Sequence, residues 1–142
     1  MLIASCDQPQ TALSIKRQSD APQRVQATCL DELGQPQCIV IVDASGETLA
    51  QLRMDGAKFL SMKSARAKAQ TAASIGQPSG NIPETVGLLI AAATDGDVTR
   101  LSGDLPIHVK GELAGGIGVG TGTPDQNIAV AEFALKALAD QM

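Results

Sequence analysis

Aromatic residues are almost absent from this 142-residue chain, which contains two Phe, no Tyr and no Trp. A core without aromatic rings has to be built from aliphatic and alanine side chains, so its helices and strands must approach one another closely. The chain has one His and three Cys without a C-x-x-C pair, and we therefore predict no metal site. A net charge of −4 argues against a nucleic-acid partner. No apolar run approaches the ~20 residues of a membrane span.

The length is most simply that of one domain. We expect a first helix within Thr11–Leu33 that ends at Gly34, with Pro22 breaking it or delaying its start. The predicted division is an N-terminal segment that includes the start of this helix, residues 1–24, and a folded domain, residues 25–142.

The N-terminus resembles the end of a bacterial lipoprotein signal, with the sequence Leu2-Ile3-Ala4-Ser5-Cys6. Neither a basic region nor an apolar region of 7–15 residues precedes it, as export would require. We therefore predict a cytoplasmic protein, the alternative being an exported lipoprotein whose leader has been removed. Reduced, buried thiols are expected in the first case, whereas a Cys29–Cys38 bridge would require an oxidising compartment.

The middle of the chain predicts a β-hairpin, two helices and a weak strand. Short β-branched or alternating runs indicate the strands, Gly and Asp mark the turns, and the alanine-rich run ends at Gly76 and Pro78. The predicted elements are strand Cys38–Val42, strand Glu47–Arg53, helix Leu60–Ile75, a shorter helix from Pro83 to Ala93, and strand Val98–Leu101.

A second hairpin is predicted near the C-terminus, with strands Leu105–Val109 and Leu113–Val119 joined by Lys110-Gly111. The second of these strands is rich in glycine, so another group must approach its backbone closely. Together the elements predict an α+β fold: a five-stranded antiparallel sheet flanked by helices.

The last helix is predicted to begin directly after this hairpin. Thr123 can cap it, Pro124 suits its first position, and Gln126 completes a capping box. Apolar residues then recur at helical spacing and give the helix one buried face.

The glycine run Gly116–Gly122 does not match a nucleotide-binding motif. The third glycine does not have the spacing that the dinucleotide-binding motif G-x-G-x-x-G requires, and no further strand follows the helix. The Gly-Lys-Ser/Thr sequence of a phosphate-binding loop is absent. Two interpretations stay open: the glycines permit tight strand–helix packing, or the start of the last helix receives an anion.

Several charged residues are candidates for a site. Arg53, Asp55 and Lys68 stand at or near the ends of predicted elements, where they could orient an acidic ligand with Arg as a bidentate clamp. His108 is either a catalytic base or a partly exposed strand residue. The predicted catalytic residues are Asp55 and His108, and the predicted ligand-binding residues are Arg53, Lys68, Gly116, Gly118, Gly120, Thr121 and Thr123.

Several blocks in succession resemble the GlcG/HbpS-like family, which includes the C-terminal domain of PduO. They are Val-Asp-Ala-Ser-Gly (42–46), Arg-Met-Asp-Gly-Ala (53–57), Lys-Ala-Gln-Thr-Ala (68–72), Leu-Pro-Ile (105–107) and Gly-Gly-Ile-Gly-Val-Gly-Thr-Gly-Thr-Pro-Asp-Gln-Asn (115–127). The resemblance implies a five-stranded antiparallel sheet in a profilin-like layout, homo-oligomers that are often octameric, and haem or another tetrapyrrole as a ligand of some members. Aromatic residues usual in the family before Leu105 and near Gly87 are missing here.

Three hypotheses for the function follow. The first is a small-molecule-binding protein, with haem or another tetrapyrrole held through its carboxylates and with His108, Met54 or Met62 chemically able to ligate iron. The second is a cofactor-free isomerase or lyase acting on a small organic acid, with Asp55 or His108 as base and Arg53 as clamp. The third is an oligomeric accessory protein without a ligand.

Overall fold

A computed structural model describes residues 35–139, which form an antiparallel sheet packed between helices. The predicted first helix, Cys6 and Cys29 lie outside this range. The strands are β1 (Cys38–Asp43), β2 (Thr48–Arg53), β3 (Asp104–Val109) and β4 (Glu112–Gly120); the helices are α1 (Phe59–Ile75), α2 (Glu84–Ala93) and α3 (Pro124–Ala139), and a 3-10 turn spans Ser79–Asn81. The strand order is β2-β1-β4-β3, with every neighbouring pair antiparallel.

The prediction of a fifth strand is wrong for the described residues, whose sheet has four strands. Residues 98–101 do not pair with a strand, because their backbone groups are bound to side chains instead. The N–H of Thr99 donates to Oγ1 of Thr71 at 3.0 Å, and the carbonyl of Leu101 accepts from Oγ of Ser79 at 2.9 Å. A segment whose backbone is satisfied in this way has no need of a sheet partner.

Local sequence signals explain the turns and helix ends. Lys110 and Gly111 both have positive φ, at 52° and 81°, as a two-residue hairpin turn requires. Gly76 ends α1 in the left-handed conformation, with its N–H bound to the carbonyl of Ala72 at 3.0 Å. Both hairpins, the helix ending at Ile75 and the C-terminal helix are thus confirmed.

Two apolar layers cover the two faces of the sheet. On one face, α1 packs across β1, β4 and β3, and alanines of the helix meet Cys38, Val40 and Val42. On the other face, α3 packs against β3 and β4 over a larger aliphatic cluster that includes Ile117 and Val119. No aromatic side chain is fully buried in the described residues, which agrees with the expected aliphatic core.

Candidate functional site

The glycines of β4 lie directly beneath α1. A Cβ atom built on Gly116, Gly118 or Gly120 would fall within less than 3.0 Å of the carbonyl oxygen of Ala69, Ala65 or Ser61, respectively. Two residues of a strand advance by about 6.6 Å and four residues of a helix by about 6 Å. Every second residue of β4 therefore meets every fourth residue of α1 along the whole contact. The group that approaches the glycine backbone is therefore the backbone of α1.

Lys68 is buried in the same layer, with only 5% of its surface exposed. Its Nζ donates a hydrogen bond of 2.8 Å to the carbonyl of Val119, at the end of β4. Burial lowers the pKa of this ammonium, and the nearby Asp104 carboxylate partly opposes that shift. Lys68 thus lies beside the end of the glycine strand, but its charge is directed inward.

Asp104 is the acidic partner in this buried region, and sequence reasoning did not select it. Its side chain is fully buried; Oδ2 accepts a hydrogen bond of 2.8 Å from the N–H of Ser79, and Oδ1 lies within hydrogen-bond distance of the Ser79 hydroxyl. Burial raises its pKa to about 6, although the Ser79 hydrogen bonds and Lys68 act in the opposite direction. The only sequence signal was an acidic residue at the start of a strand.

The start of α3 is held by its own side chains. Oγ1 of Thr123 accepts from the N–H of Gln126 at 3.3 Å, and Oε1 of Gln126 accepts from the N–H of Thr123 at 3.0 Å, which confirms the capping box. Oδ1 of Asn127 accepts from the N–H of Gly122 at 3.0 Å. Because Pro124 has no N–H, most donors that could receive an external anion here are absent or already bound.

Thr121 connects β4 to this capped helix with a φ of 94°, a backbone conformation that residues other than glycine rarely adopt. Its carbonyl accepts a 2.6 Å hydrogen bond from Nε2 of Gln35. Next to it, Gln37 is fully buried and its amide atoms have no hydrogen-bond partner among the described residues. Sequence reasoning did not identify Gln37, since a polar residue before a strand is ordinarily solvated.

Arg53 lies at the same end of the sheet but on the far side of β1. It pairs with Cys38, which in turn pairs with Gly120 of β4. Cys38 is a free, buried thiol whose pKa is raised by burial. Arg53 is exposed and Lys68 is buried under α1, so the structure does not bring these two predicted cations to one open site.

An open surface extends from Arg53 along β2. Ala50 and Leu52 pack toward the α3 side, so Leu49, Gln51 and Arg53 point to the α1 side, where the helix does not cover them. All three are exposed.

Helix α1 provides the second wall of this surface. Phe59, Lys63 and Arg66 are exposed and share a helix face with Gln70, because they are spaced three and four residues apart. Gln70 donates to the carbonyl of Gly46 at 3.3 Å, which places this face alongside β2. We call this surface the β2 shelf; its residues are Leu49, Gln51, Arg53, Phe59, Lys63 and Arg66.

A cleft of about 260 Å³ lies at the Gln70 end of the shelf. It is formed by the turn between β1 and β2, the second half of α1 and the loop after α2. It is lined by Ala44, Ser45, Gly46, Gln70, Ala73, Ser74, Asp97 and Val98. It is therefore separated from Arg53 by the length of β2, which is about 20 Å for six residues.

The two predicted catalytic residues lie at opposite edges of the sheet. Asp55 is exposed just after β2, and His108 is exposed on β3. With β1 and β4 between them, they are about 14 Å apart across the sheet at the usual strand spacing. They also lie toward opposite ends of the strands, because Arg53 lines up with Gly120 whereas His108 pairs with Leu113, seven residues or about 23 Å along β4. Asp55 is therefore close in sequence and space to Arg53, whereas His108 is not.

Residues 13–136 match the family model described as "Haem degrading protein HbpS-like". This chain belongs to the HbpS-like family. A relative, an uncharacterized 15.0 kDa protein from the dhaT-dhaS intergenic region of Citrobacter freundii, is 31% identical over 125 residues, which cover 83% of this chain and 86% of the relative.

Two solved structures extend the comparison. A complex of PduOC with heme superposes with a TM-score of 0.76 at 26% identity, covering 89% of this chain and 94% of that one. A double mutant of HbpS from Streptomyces reticuli gives a TM-score of 0.69 at 25% identity, with 97% of each chain covered. Within residues 35–139, no helix of this HbpS-like chain is long and apolar enough to cross a membrane.

Proposed function

We propose that this HbpS-like protein binds a small apolar anion, with haem or another tetrapyrrole as the ligand, on the β2 shelf. The observation that carries the proposal is the composition of that surface. Phe59 is 71% exposed and Leu49 is 40% exposed, and the cations Arg53, Lys63 and Arg66 stand beside them in a chain whose net charge is −4. Apolar area bordered by cations suits a ligand with a flat apolar body and carboxylates.

The residues of the shelf fit a tetrapyrrole. The exposed face of Phe59 would lie against the macrocycle, and the guanidinium groups of Arg53 and Arg66 would hold carboxylates as bidentate donors. Bound haem would supply an iron centre with an open coordination position. The described complex of a relative with heme supports this choice of ligand.

Of the three side chains able to ligate iron, Met62 is best placed. It is half-buried on α1, three residues after Phe59 and therefore on the neighbouring surface of the helix. The sulfur of Met54, by contrast, is buried and accepts from the N–H of Gln37 at 3.3 Å. His108 lies on the opposite edge of the sheet.

The other predicted binding residues would act at a distance in this proposal. Gly116, Gly118 and Gly120 let α1 lie flat on β4, which fixes the helical wall of the shelf. Lys68 holds the same helix to the end of β4 through Val119. Thr121 and Thr123 shape the connection to α3, and we assign none of these six a direct ligand contact.

Replacing Arg53 with glutamine is expected to weaken haemin binding about ten-fold, or about 1.4 kcal/mol, because a carboxylate loses its charged bidentate partner. Titrations that follow the Soret band measure this for haemin. Iron-free protoporphyrin, followed by fluorescence, should show the same loss, whereas Met62→Leu should weaken haemin binding alone.

Lys136→Gln provides the matched control, because Lys136 is an exposed cation on α3, away from the shelf. It should bind both ligands as the unmodified protein does. Equal affinities for Arg53→Gln and Lys136→Gln would refute the shelf as the carboxylate site, and an unchanged haemin spectrum in all proteins would refute the tetrapyrrole.

We further propose that the chain forms homo-oligomers through α2. This ten-residue helix has no charged residue after Glu84 and buries only Gly87, while Leu88 and Leu89 are 82% and 68% exposed. An apolar patch of this kind is typical of protein–protein interfaces. The patch is centred on the helix, so two copies packed antiparallel would place the same leucines face to face, as a two-fold interface requires.

Leu88→Glu is expected to shift the protein toward the monomer by at least ten-fold in dissociation constant, since each interface would then bury unpaired carboxylates. Sedimentation equilibrium measures the change, and circular dichroism should show an unaltered fold because the residue is exposed. Lys136→Glu, which changes charge on α3, should leave the assembly as it is. A monomer in the unmodified protein would contradict the proposal.

A further inference from the structure

The segment that carries α2 begins and ends at one buried carboxyl group. We define the α2 segment as residues 79–101; it leaves the protein body at Ser79 and returns at Leu101, and it bears the exposed Leu88 and Leu89. The N–H and hydroxyl of Ser79 both contact the carboxyl group of Asp104, and the same hydroxyl contacts the carbonyl of Leu101 at 2.9 Å. The two ends of the segment are therefore joined through Ser79 and Asp104.

The number of protons available at this junction indicates the protonation state of Asp104. The Ser79 hydroxyl has a single proton, but its oxygen lies within hydrogen-bond distance of two acceptors, Oδ1 of Asp104 and the carbonyl of Leu101. Both contacts are hydrogen bonds only when Asp104 carries a proton. Its O–H then donates to Ser79, whose O–H donates to Leu101, while Oδ2 of Asp104 accepts from the N–H of Ser79.

We propose that a proton on Asp104 closes the α2 segment, so that raising the pH releases the Leu101 end and loosens the surface that carries Leu88 and Leu89. When Asp104 is ionised, the Ser79 hydroxyl turns to the carboxylate and the carbonyl of Leu101 loses its donor. The hydrogen bond that closes the Leu101 end is then lost, so the open form of the segment gains population. This inference does not depend on tetrapyrrole binding.

The surroundings of Asp104 favour the protonated form of its carboxyl group. The carboxyl group is fully buried, and burial raises its pKa to about 6. Lys68 of α1 is the charged side chain that acts on it from the described residues, and Lys68 is already bound to Val119. The facing strand contributes Gly118, which has no side chain, and α3 contributes the neutral amide of Asn127 close to Gly103.

Linkage between proton binding and closure gives the direction of the pH dependence. A carboxyl group with an ordinary pKa near 3.8 when open and about 6 when closed binds its proton more tightly in the closed form. The closed segment is thus most stable below pH 4 and loses stability as the pH rises through 6. The ratio of open to closed segments should increase roughly fifty-fold between pH 4 and pH 7.

Two NMR measurements on the full chain test this proposal. The carboxyl carbon of Asp104 should titrate near pH 6, and this needs no variant. Amide hydrogen exchange at Thr99 and Leu101, corrected for the intrinsic effect of pH, should report the roughly fifty-fold opening. Asp104→Asn, in which the amide NH₂ replaces the carboxyl O–H as donor to Ser79, should keep the segment closed at every pH.

Control variants separate this junction from other titrating groups. Asp97→Asn removes an exposed carboxylate of the same segment and should leave the pH dependence unchanged. His108→Gln should do the same and excludes a contribution from the single imidazole. Titration of Asp104 near pH 4, or an opening that keeps its pH dependence in Asp104→Asn, would overturn the proposal.

Discussion

Gly118→Ala is expected to destabilise the protein by more than about 4 kcal/mol, a large part of the 5–15 kcal/mol that stabilises an ordinary domain. The added methyl group would fall within less than 3.0 Å of the carbonyl oxygen of Ala65 and the N–H of Ala69. Both are backbone atoms inside a helix, so neither can rotate away as a flexible side chain can. The change would force α1 off β4 and open the layer that contains Lys68.

Chemical denaturation followed by circular dichroism measures this loss. Gly111→Ala is the matched control: its φ of 81° strains an alanine, but no atom lies within 4 Å of the added methyl group. That variant should lose only about 1 kcal/mol. Equal losses in the two variants would contradict close packing of α1 on β4, because backbone strain alone would then account for both.

Short-range signals made most of the fold predictable from the sequence. The capping box of Thr123 and Gln126, the turn at Lys110-Gly111 and the stop at Gly76 each depend on residues within four positions of one another. The strand at 98–101 was predicted wrongly because its structure depends on long-range contacts. Its backbone is bound by side chains that stand 28 and 22 positions earlier, and no local pattern reveals such partners.

The candidate site was less predictable because charge at the end of an element does not say which way a side chain points. Lys68 was expected to face an acidic ligand, yet it lies three residues after Ala65 and four before Ala72, both fully buried. That spacing on α1 was a signal for burial. The β2 shelf, by contrast, depends on where α1 crosses the sheet, which helical periodicity alone does not specify.

Lys68→Met is expected to cost about 2 kcal/mol at pH 7, because removing one partner leaves the other without its opposite charge in a buried site. Methionine keeps the apolar stem of the side chain, but the carbonyl of Val119 loses its donor and Asp104 loses the attraction of the ammonium. The pKa of Asp104, already raised to about 6 by burial, should rise further in the variant. At pH 5 the carboxyl group is protonated, so the cost should fall toward the ~1 kcal/mol of the lost hydrogen bond alone.

Denaturation at the two pH values, combined with a double-mutant cycle, tests this coupling. Lys68→Met in an Asp104→Asn background should cost less at pH 7 than it does alone, because no buried carboxylate is left unpaired. Lys63→Met, an exposed change on the same helix, should be nearly neutral at both pH values. A loss that is the same at pH 5 and pH 7, or additive with Asp104→Asn, would show that Lys68 supports the fold through its packing and its bond to Val119 rather than through its charge.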